Sequence, residues 1–132
     1  MAPERPVLNL MRSVLTVPVT SPRFIEKAPA TGADVICLDL EDSIAPAEKV
    51  GARRLAAQAI GSLPGGRYSL FVRVNALSSG LLEDDLVAVV APGLDGVIVS
   101  KTDSAAGLAA VDALVGRLEA ENGMPAGSVT LA

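Results

Sequence analysis

The sequence predicts an α/β fold of alternating strands and helices around a parallel sheet. Three observations carry that reading. Short, nearly continuous aliphatic runs such as Val35-Ile36-Cys37-Leu38 recur along the chain, as strands buried on both faces do. Between them lie stretches with helical apolar spacing, closed by Pro and Gly. Polar residues enter where the apolar runs end, and the carboxyl ends of parallel strands are where α/β folds place ligands.

Taken in order, residues 1–11 form a Pro-containing arm without periodicity. Residues 13–17 (Ser-Val-Leu-Thr-Val) make a first strand, stopped by Pro18. Ser21 suits an N-cap and Pro22 the first helical position. That helix has an apolar side of Phe24, Ile25 and Ala28, is ended by Pro29 and is closed by Gly32. Residues 35–40 are the second strand, and Ala45-Pro46 opens a long helix whose apolar positions are Ala47, Val50, Ala57 and Ile60. Residues 61–66, with Pro64 among them, break the chain before a third strand at 68–74. A helix over 82–90 ends at Pro92-Gly93, and residues 96–100 form the fourth strand. Ser104 caps a helix through Leu108, Val111, Leu114 and Leu118, which ends near Asn122-Gly123. Residues 129–131 begin a fifth strand.

Two architectures satisfy this order, an open doubly wound sheet and part of a (β/α) barrel. The first strand-to-helix turn, Val17-Pro18-Val19-Thr20-Ser21-Pro22, has no Gly-x-Gly-x-x-Gly, which disfavours a dinucleotide-binding sheet. A full barrel takes about 250 residues, so these 132 would make about half of one, and their end within a strand reads as a truncation.

Composition narrows the function. The chain is 50% hydrophobic with 2% aromatic residues, so its core is aliphatic. Eleven Lys and Arg against fifteen Asp and Glu give a net charge of −4, without a basic run. That disfavours nucleic acid, whose phosphates need clustered cations. The single Cys37 allows no intrachain disulfide and points to a reducing compartment. With no signal-peptide pattern and no apolar run of membrane length, the expected setting is cytoplasmic. Histidine is absent, which removes histidine-dependent triads and His-containing zinc sites. Chemistry here runs on carboxylates, Arg and Lys.

Those groups gather at the strand ends: Asp39, Glu41 and Asp42, then Arg73 and Asn75, then Ser100 and Lys101. Such a ring is the pattern of barrel active sites. The carboxylates Asp39, Glu41 and Asp42 could hold a divalent cation directly or through its waters; alternatively Glu41 and Asp42 simply cap or solubilise the next loop. Arg73, flanked by Val72 and Val74, needs an anion to be tolerated in a core strand. Either it pairs with Glu41 or Asp42, or its planar fork clamps a substrate carboxylate. Lys101 suits ion pairing better than Schiff-base chemistry. Arg23 and Lys27, four apart near the start of the first helix, suit phosphate groups.

These residues carry a resemblance. Arg12 to Pro18 (Arg-Ser-Val-Leu-Thr-Val-Pro), Ser21-Pro22-Arg23, Glu26-Lys27-Ala28 and the block from Ala33 to Pro46 with Lys49 are similar to the citrate lyase β-subunit and malyl-CoA lyase family of the HpcH/HpaI aldolase superfamily. Val72-Arg73-Val74-Asn75 and Val99-Ser100-Lys101 extend it in the same order. The Leu-Asp-Leu-Glu-Asp-Ser-x-Ala-Pro block is its most specific part. The resemblance implies half of a TIM (β/α)8 barrel over residues 12–132. It implies a carbon–carbon lyase that cleaves or forms a bond in a 3-hydroxyacyl thioester such as citryl-, malyl- or citramalyl-CoA, using Mg²⁺ to stabilise the enolate and the 2-oxo acid.

The same resemblance assigns roles. Arg73 meets the substrate carboxylate, Glu41 and Asp42 lie beside the metal through its waters, and Lys27 meets CoA phosphates. Arg23, Asn75 and Lys101 join the substrate-binding set, and partners are an acyl-CoA or acyl-carrier thioester, a 2-oxo acid and further copies of the chain. The family's direct metal ligands follow its fifth and sixth strands, beyond Ala132, so this chain alone is expected to be inactive. Where the family commonly has Pro-Gly after the first strand, this chain has Pro18-Val19, which changes the CoA-side loop. The alternatives are a small flavodoxin-like module that binds a cation or phosphate at the acidic loop, and a non-catalytic assembly partner.

Overall fold

The computed structural model describes residues 11–132. The expected arm over 1–11 therefore lies, apart from Met11, outside the described residues. Five strands alternate with four helices: β1 (Val14–Pro18), α1 (Pro22–Lys27), β2 (Val35–Asp39), α2 (Lys49–Ser62), β3 (Ser69–Val74), α3 (Leu82–Val89), β4 (Gly96–Val99), α4 (Ala105–Glu121) and β5 (Thr130–Leu131). All neighbouring strands are parallel, in the order β1-β2-β3-β4-β5. Each strand thus lies beside its predecessor, and the order never reverses as it does in a doubly wound sheet. This is the wall of a (β/α) barrel, about half of one.

The two sheet faces pack differently. Ile36, Leu38, Leu70, Val72, Val74 and Val97 meet the helices, against Ala56, Ile60, Leu86, Val89, Val111, Val115 and Leu118. On the other face Val35, Cys37 and Phe71 form a separate small cluster with Ile98. The Phe71 ring lies so close to Gly96 that a Cβ there would stand 2.4 Å from it, so β4 must begin with glycine. Burial pushes the Cys37 thiol up to about 12, which leaves it an inert small hydrophobe.

Three local expectations are corrected. In α2 the buried residues are Ala52, Ala56, Ala59 and Ile60, while Val50 is 75% exposed. Ala47 and Ala57 also face solvent. The chain enters that helix through a 3₁₀ turn, Pro46–Glu48, whose three residues per turn shift the phase read from the sequence. In α1 no residue is fully buried and Phe24 is 58% exposed; its packing rests on half-buried Ile25 and the following Ala28. Ser21 stands at the N-cap of α1 without a side-chain cap bond. Its backbone carbonyl instead accepts from the amides of Phe24 and Ile25 at 3.0 and 3.2 Å. Ser104 does cap α4, accepting from Gly107 N at 3.0 Å.

Candidate functional site at the carboxyl ends of the strands

Asp39 ends β2 and pairs in register with Arg73 of β3. That register, not loop flexibility, selects the arginine's partner. Arg73 Nε donates to Asp39 Oδ1 and Nη2 to Oδ2, both at 2.8 Å. The same carboxylate accepts from Glu41 N at 2.9 Å, Ser43 N at 3.0 Å and Ser43 Oγ at 2.6 Å. Complete burial of Asp39 works against its charge. The Arg73 fork, the Ser43 hydroxyl and the two backbone amides outweigh that and hold it well below the usual carboxylate range. Asp39 in turn raises the Arg73 guanidinium above its ordinary value. Of the two acids offered as ion-pair partners for Arg73, Glu41 does pair with it, Oε1 at 3.6 Å from Nε, but the hydrogen bonds go to Asp39.

Glu41 is 6% exposed, and its Oε2 is buried without a directed hydrogen bond. The nearest cation is Lys101, whose Nζ lies 2.9 Å from that oxygen and 3.5 Å from Asp42 Oδ1. Asp42 and Lys101 are themselves largely exposed, at 65% and 68% of their side chains. Glu41, followed by Asp42, holds the Lys101 ammonium above its ordinary value. Lys101 adopts a left-handed backbone, φ +51°, uncommon for a residue with a side chain.

The acidic loop is pinned from behind. Lys49 Nζ donates to the carbonyls of Leu40 and Glu41 at 3.0 and 2.8 Å. Asn75 Nδ2 donates to Leu40 O at 3.0 Å and to Asp85 Oδ2 at 2.7 Å. Asp85 also accepts from Asn75 N and from Arg53 Nε, each at 2.8 Å. Both amide hydrogens of Asn75, expected to bind substrate, are therefore spent on the scaffold. Sequence reasoning placed Asp39 in the acidic cluster but did not pair it with Arg73, whose fork and three further donors leave it none of the freedom a cation ligand needs; it assigned no role to Lys49, Arg53 or Asp85. Asp85 had a signal, since it interrupts the apolar face of Leu82, Leu86 and Val89.

Arg23 and Lys27 are not drawn into this cluster. Both are exposed on α1. Lys27 sits in the last turn of that six-residue helix rather than near its start. It lines a separate cleft with Leu15, Val17, Pro18 and Phe24.

Among the described residues, no group of three or more His, Cys, Asp or Glu could hold a metal ion. Asp39 is saturated by its five donors. What remains is the Glu41–Asp42 pair, both of whose carboxylates face the Lys101 ammonium; such a pair could meet a cation through its waters rather than directly.

The chain is 41% identical over 115 residues to L-malyl-CoA/beta-methylmalyl-CoA lyase of Cereibacter sphaeroides, covering 85% of this chain and 36% of that protein. It is 34% identical over 120 residues to citrate lyase subunit beta of Leuconostoc mesenteroides subsp. cremoris, covering 91% and 40%. The chain thus spans about two fifths of the length of these relatives. Among solved structures it is similar to CitE from Mycobacterium tuberculosis in complex with magnesium, acetoacetate and coenzyme A. There the TM-score is 0.59 and the identity 31%, covering 80% of this chain and 38% of that one. The model of the HpcH/HpaI aldolase/citrate lyase family matches residues 12–132, and the chain belongs to that family.

Proposed function

We propose that the protein takes part in carbon–carbon lyase chemistry: the aldol- or Claisen-type cleavage of a 3-hydroxyacyl thioester such as citryl-, malyl- or citramalyl-CoA. The observation that carries this reading is the Arg73 fork, locked on Asp39 and standing 3.6 Å from buried Glu41 at the carboxyl ends of β2 and β3. The names of the relatives, malyl-CoA and citrate lyases, support the reaction class. The magnesium and coenzyme A in the similar CitE structure support the cofactor and the thioester.

In the cleavage the substrate hydroxyl gives its proton to a base, which returns a proton to the enolate carbon after the carbon–carbon bond has broken. Its electron pair passes to the carbon next to the thioester, leaving an enolate and a 2-oxo acid. Mg²⁺, when bound, supplies Lewis-acid stabilisation of the charge that develops on those oxygens. Arg73 uses two of its five N–H groups on Asp39 and keeps three for a substrate carboxylate. Asp39 fixes the plane of that clamp, so the fork need not be ordered when substrate arrives. Glu41 and Asp42 would meet a bound ion through its waters, Lys101 closes the rim, and Asn75 holds the loop that carries the acids. Arg23 and Lys27 suit the phosphates of a CoA or acyl-carrier arm reaching past β1. The active species is a cytoplasmic homo-oligomer.

Arg73→Lys tests the clamp. Lysine keeps the charge but loses the planar fork, and a charged hydrogen bond is worth about 1.5–3 kcal/mol. In the full-length protein kcat/KM for malyl-CoA cleavage should fall about ten- to hundredfold, with cooperative melting retained. An unchanged kcat/KM refutes the role.

A further inference from the structure

We propose that Asp85 is a positioning residue for the Arg73 clamp, acting through Asn75 and the backbone of Leu40. The inference rests on the clamp reading above and adds the buried group that sets the clamp in place. Asp85 lies in the first turn of α3 and is 1% exposed. A carboxylate that deep needs partners on both oxygens, and its partners lead in two directions. Oδ1 accepts from Arg53 Nε of α2 at 2.8 Å. Oδ2 accepts twice from Asn75, from the backbone N at 2.8 Å and from Nδ2 at 2.7 Å.

The bonds to Asp85 leave the Asn75 amide one orientation, in which Nδ2 also donates to Leu40 O at 3.0 Å. Turned over, the amide would set its own oxygen against two acceptors. Leu40 stands between Asp39, which grips the Arg73 fork, and Glu41, which lies 3.6 Å from it. Leu40 N donates in turn to Arg73 O at 3.0 Å. Past the end of β2, the residue between the two acids is therefore tied to the β3 segment twice, once through the backbone and once through Asn75. Lys49 Nζ shares the Leu40 carbonyl at 3.0 Å, but it ties the loop to a helix, not to the strand that carries Arg73. Asp85 decides which way Asn75 points, and Arg53 balances its charge from the other oxygen.

The test uses the full-length protein. Asp85→Asn should lower kcat for malyl-CoA cleavage about tenfold with KM held within about twofold, because misplaced groups cost rate more than binding. Arg53→Gln keeps a donor for Oδ1 and removes the charge. It should lower the melting temperature yet leave kcat within about twofold. Arg53→Gln together with Asp85→Asn lets the two amides pair and returns an acceptor oxygen to Asn75, so kcat should recover. Asn75→Leu removes only the Nδ2 donor and keeps the Asp85–Arg53 pair. Its kcat should fall as in Asp85→Asn, and it reads the same link if Asp85→Asn does not fold.

Hydrogen exchange reads the link without activity: amides of residues 40–44 should exchange faster in Asp85→Asn than in Arg53→Gln. An unchanged kcat in Asp85→Asn and Asn75→Leu overturns the proposal. An equal kcat loss in Arg53→Gln also overturns it, since Asp85 would then serve stability alone. If the parent protein cleaves no malyl-CoA, the lyase reading fails by itself and the exchange comparison decides. Faster exchange in Asp85→Asn alone upholds the positioning role, and equal exchange in both variants overturns it.

Discussion

Glu41 and Glu119 are both buried glutamates, at 6% and 2% exposure, at opposite ends of the same sheet. Glu119, near the end of α4, accepts from Gly127 N at 2.8 Å and Val129 N at 2.9 Å, one amide on each oxygen. It thereby fixes the turn that leads into β5. Other acids at the amino ends of the strands behave alike. Asp95 accepts from Leu70 N at 2.7 Å, and Asp34 receives the Arg12 amide and guanidinium at 2.9–3.1 Å. At the carboxyl ends, Glu41 Oε2 has no directed donor and a residue with φ +51° stands beside it. At one end the acids are met largely by backbone amides, and at the other Glu41 is met by side-chain cations, Lys101 at 2.9 Å and Arg73 at 3.6 Å. In (β/α) barrels the first end carries stability and the second carries the ligand.

Asp39 and Arg73 are the exception that sharpens this comparison, because they bring amino-end satisfaction to the carboxyl end. Arg73→Met would strand a fully buried charged carboxylate and should cost about 3–5 kcal/mol, the largest effect expected here. The sign with pH follows from the lowered Asp39 value. Its contribution is complete above the ordinary carboxylate range near pH 4 and is lost as pH falls through the depressed folded value. In Arg73→Met that carboxylate keeps only the neutral donors Glu41 N, Ser43 N and Ser43 Oγ and loses its cation, so acid should relieve its penalty. Urea unfolding between pH 2 and 7 should show the two stability curves converging as pH falls. Parallel curves would mean that the pair is not what holds Asp39.

The next effect lies at the other end. Glu119→Gln replaces one acceptor oxygen with an NH₂ group facing a backbone N–H. One amide is left unsatisfied, at a cost of about 1–3 kcal/mol. Chemical denaturation measures it, and Mn²⁺ titration of the same variant should be unchanged, since Glu119 is remote from the acidic loop.

Much of this division was legible in the sequence, for physical reasons. Parallel strands buried on both faces leave continuous aliphatic runs, so β2 and β3 stand out, and the position of Glu41, Arg73 and Lys101 at run ends marks the binding edge. What escaped depends on phase and register. The Asp39–Arg73 pairing needs the in-register match of two strands far apart in sequence, which no local pattern encodes. The inward face of α2 was misplaced because a 3₁₀ turn precedes it and because alanines give little periodic contrast. Lys49 donates to backbone carbonyls, and carbonyls carry no residue signature. Asp85 could have been found, because an acid on an otherwise apolar helix face needs a buried partner.

The smallest expected effect is the most discriminating. Glu41→Gln repeats the Glu119→Gln substitution in a residue of similar burial, with shape and volume nearly kept. No backbone amide donates to Glu41 Oε2, so the new NH₂ orphans no donor. The losses are the exposed contact with Lys101 and the 3.6 Å approach of Arg73. The gain is relief from placing the Glu41 charge beside Asp39. An exposed ion pair is worth about 0.2–1 kcal/mol, and these contributions oppose one another, so the net change in unfolding free energy should stay within about 0.5 kcal/mol. Mn²⁺ affinity, by contrast, should fall in this variant and not in Glu119→Gln. The paired experiment is one denaturation curve and one titration for each protein. If Glu41→Gln were as destabilising as Glu119→Gln, Glu41 Oε2 would be a structural contact after all, and the two ends of the sheet would not differ in kind.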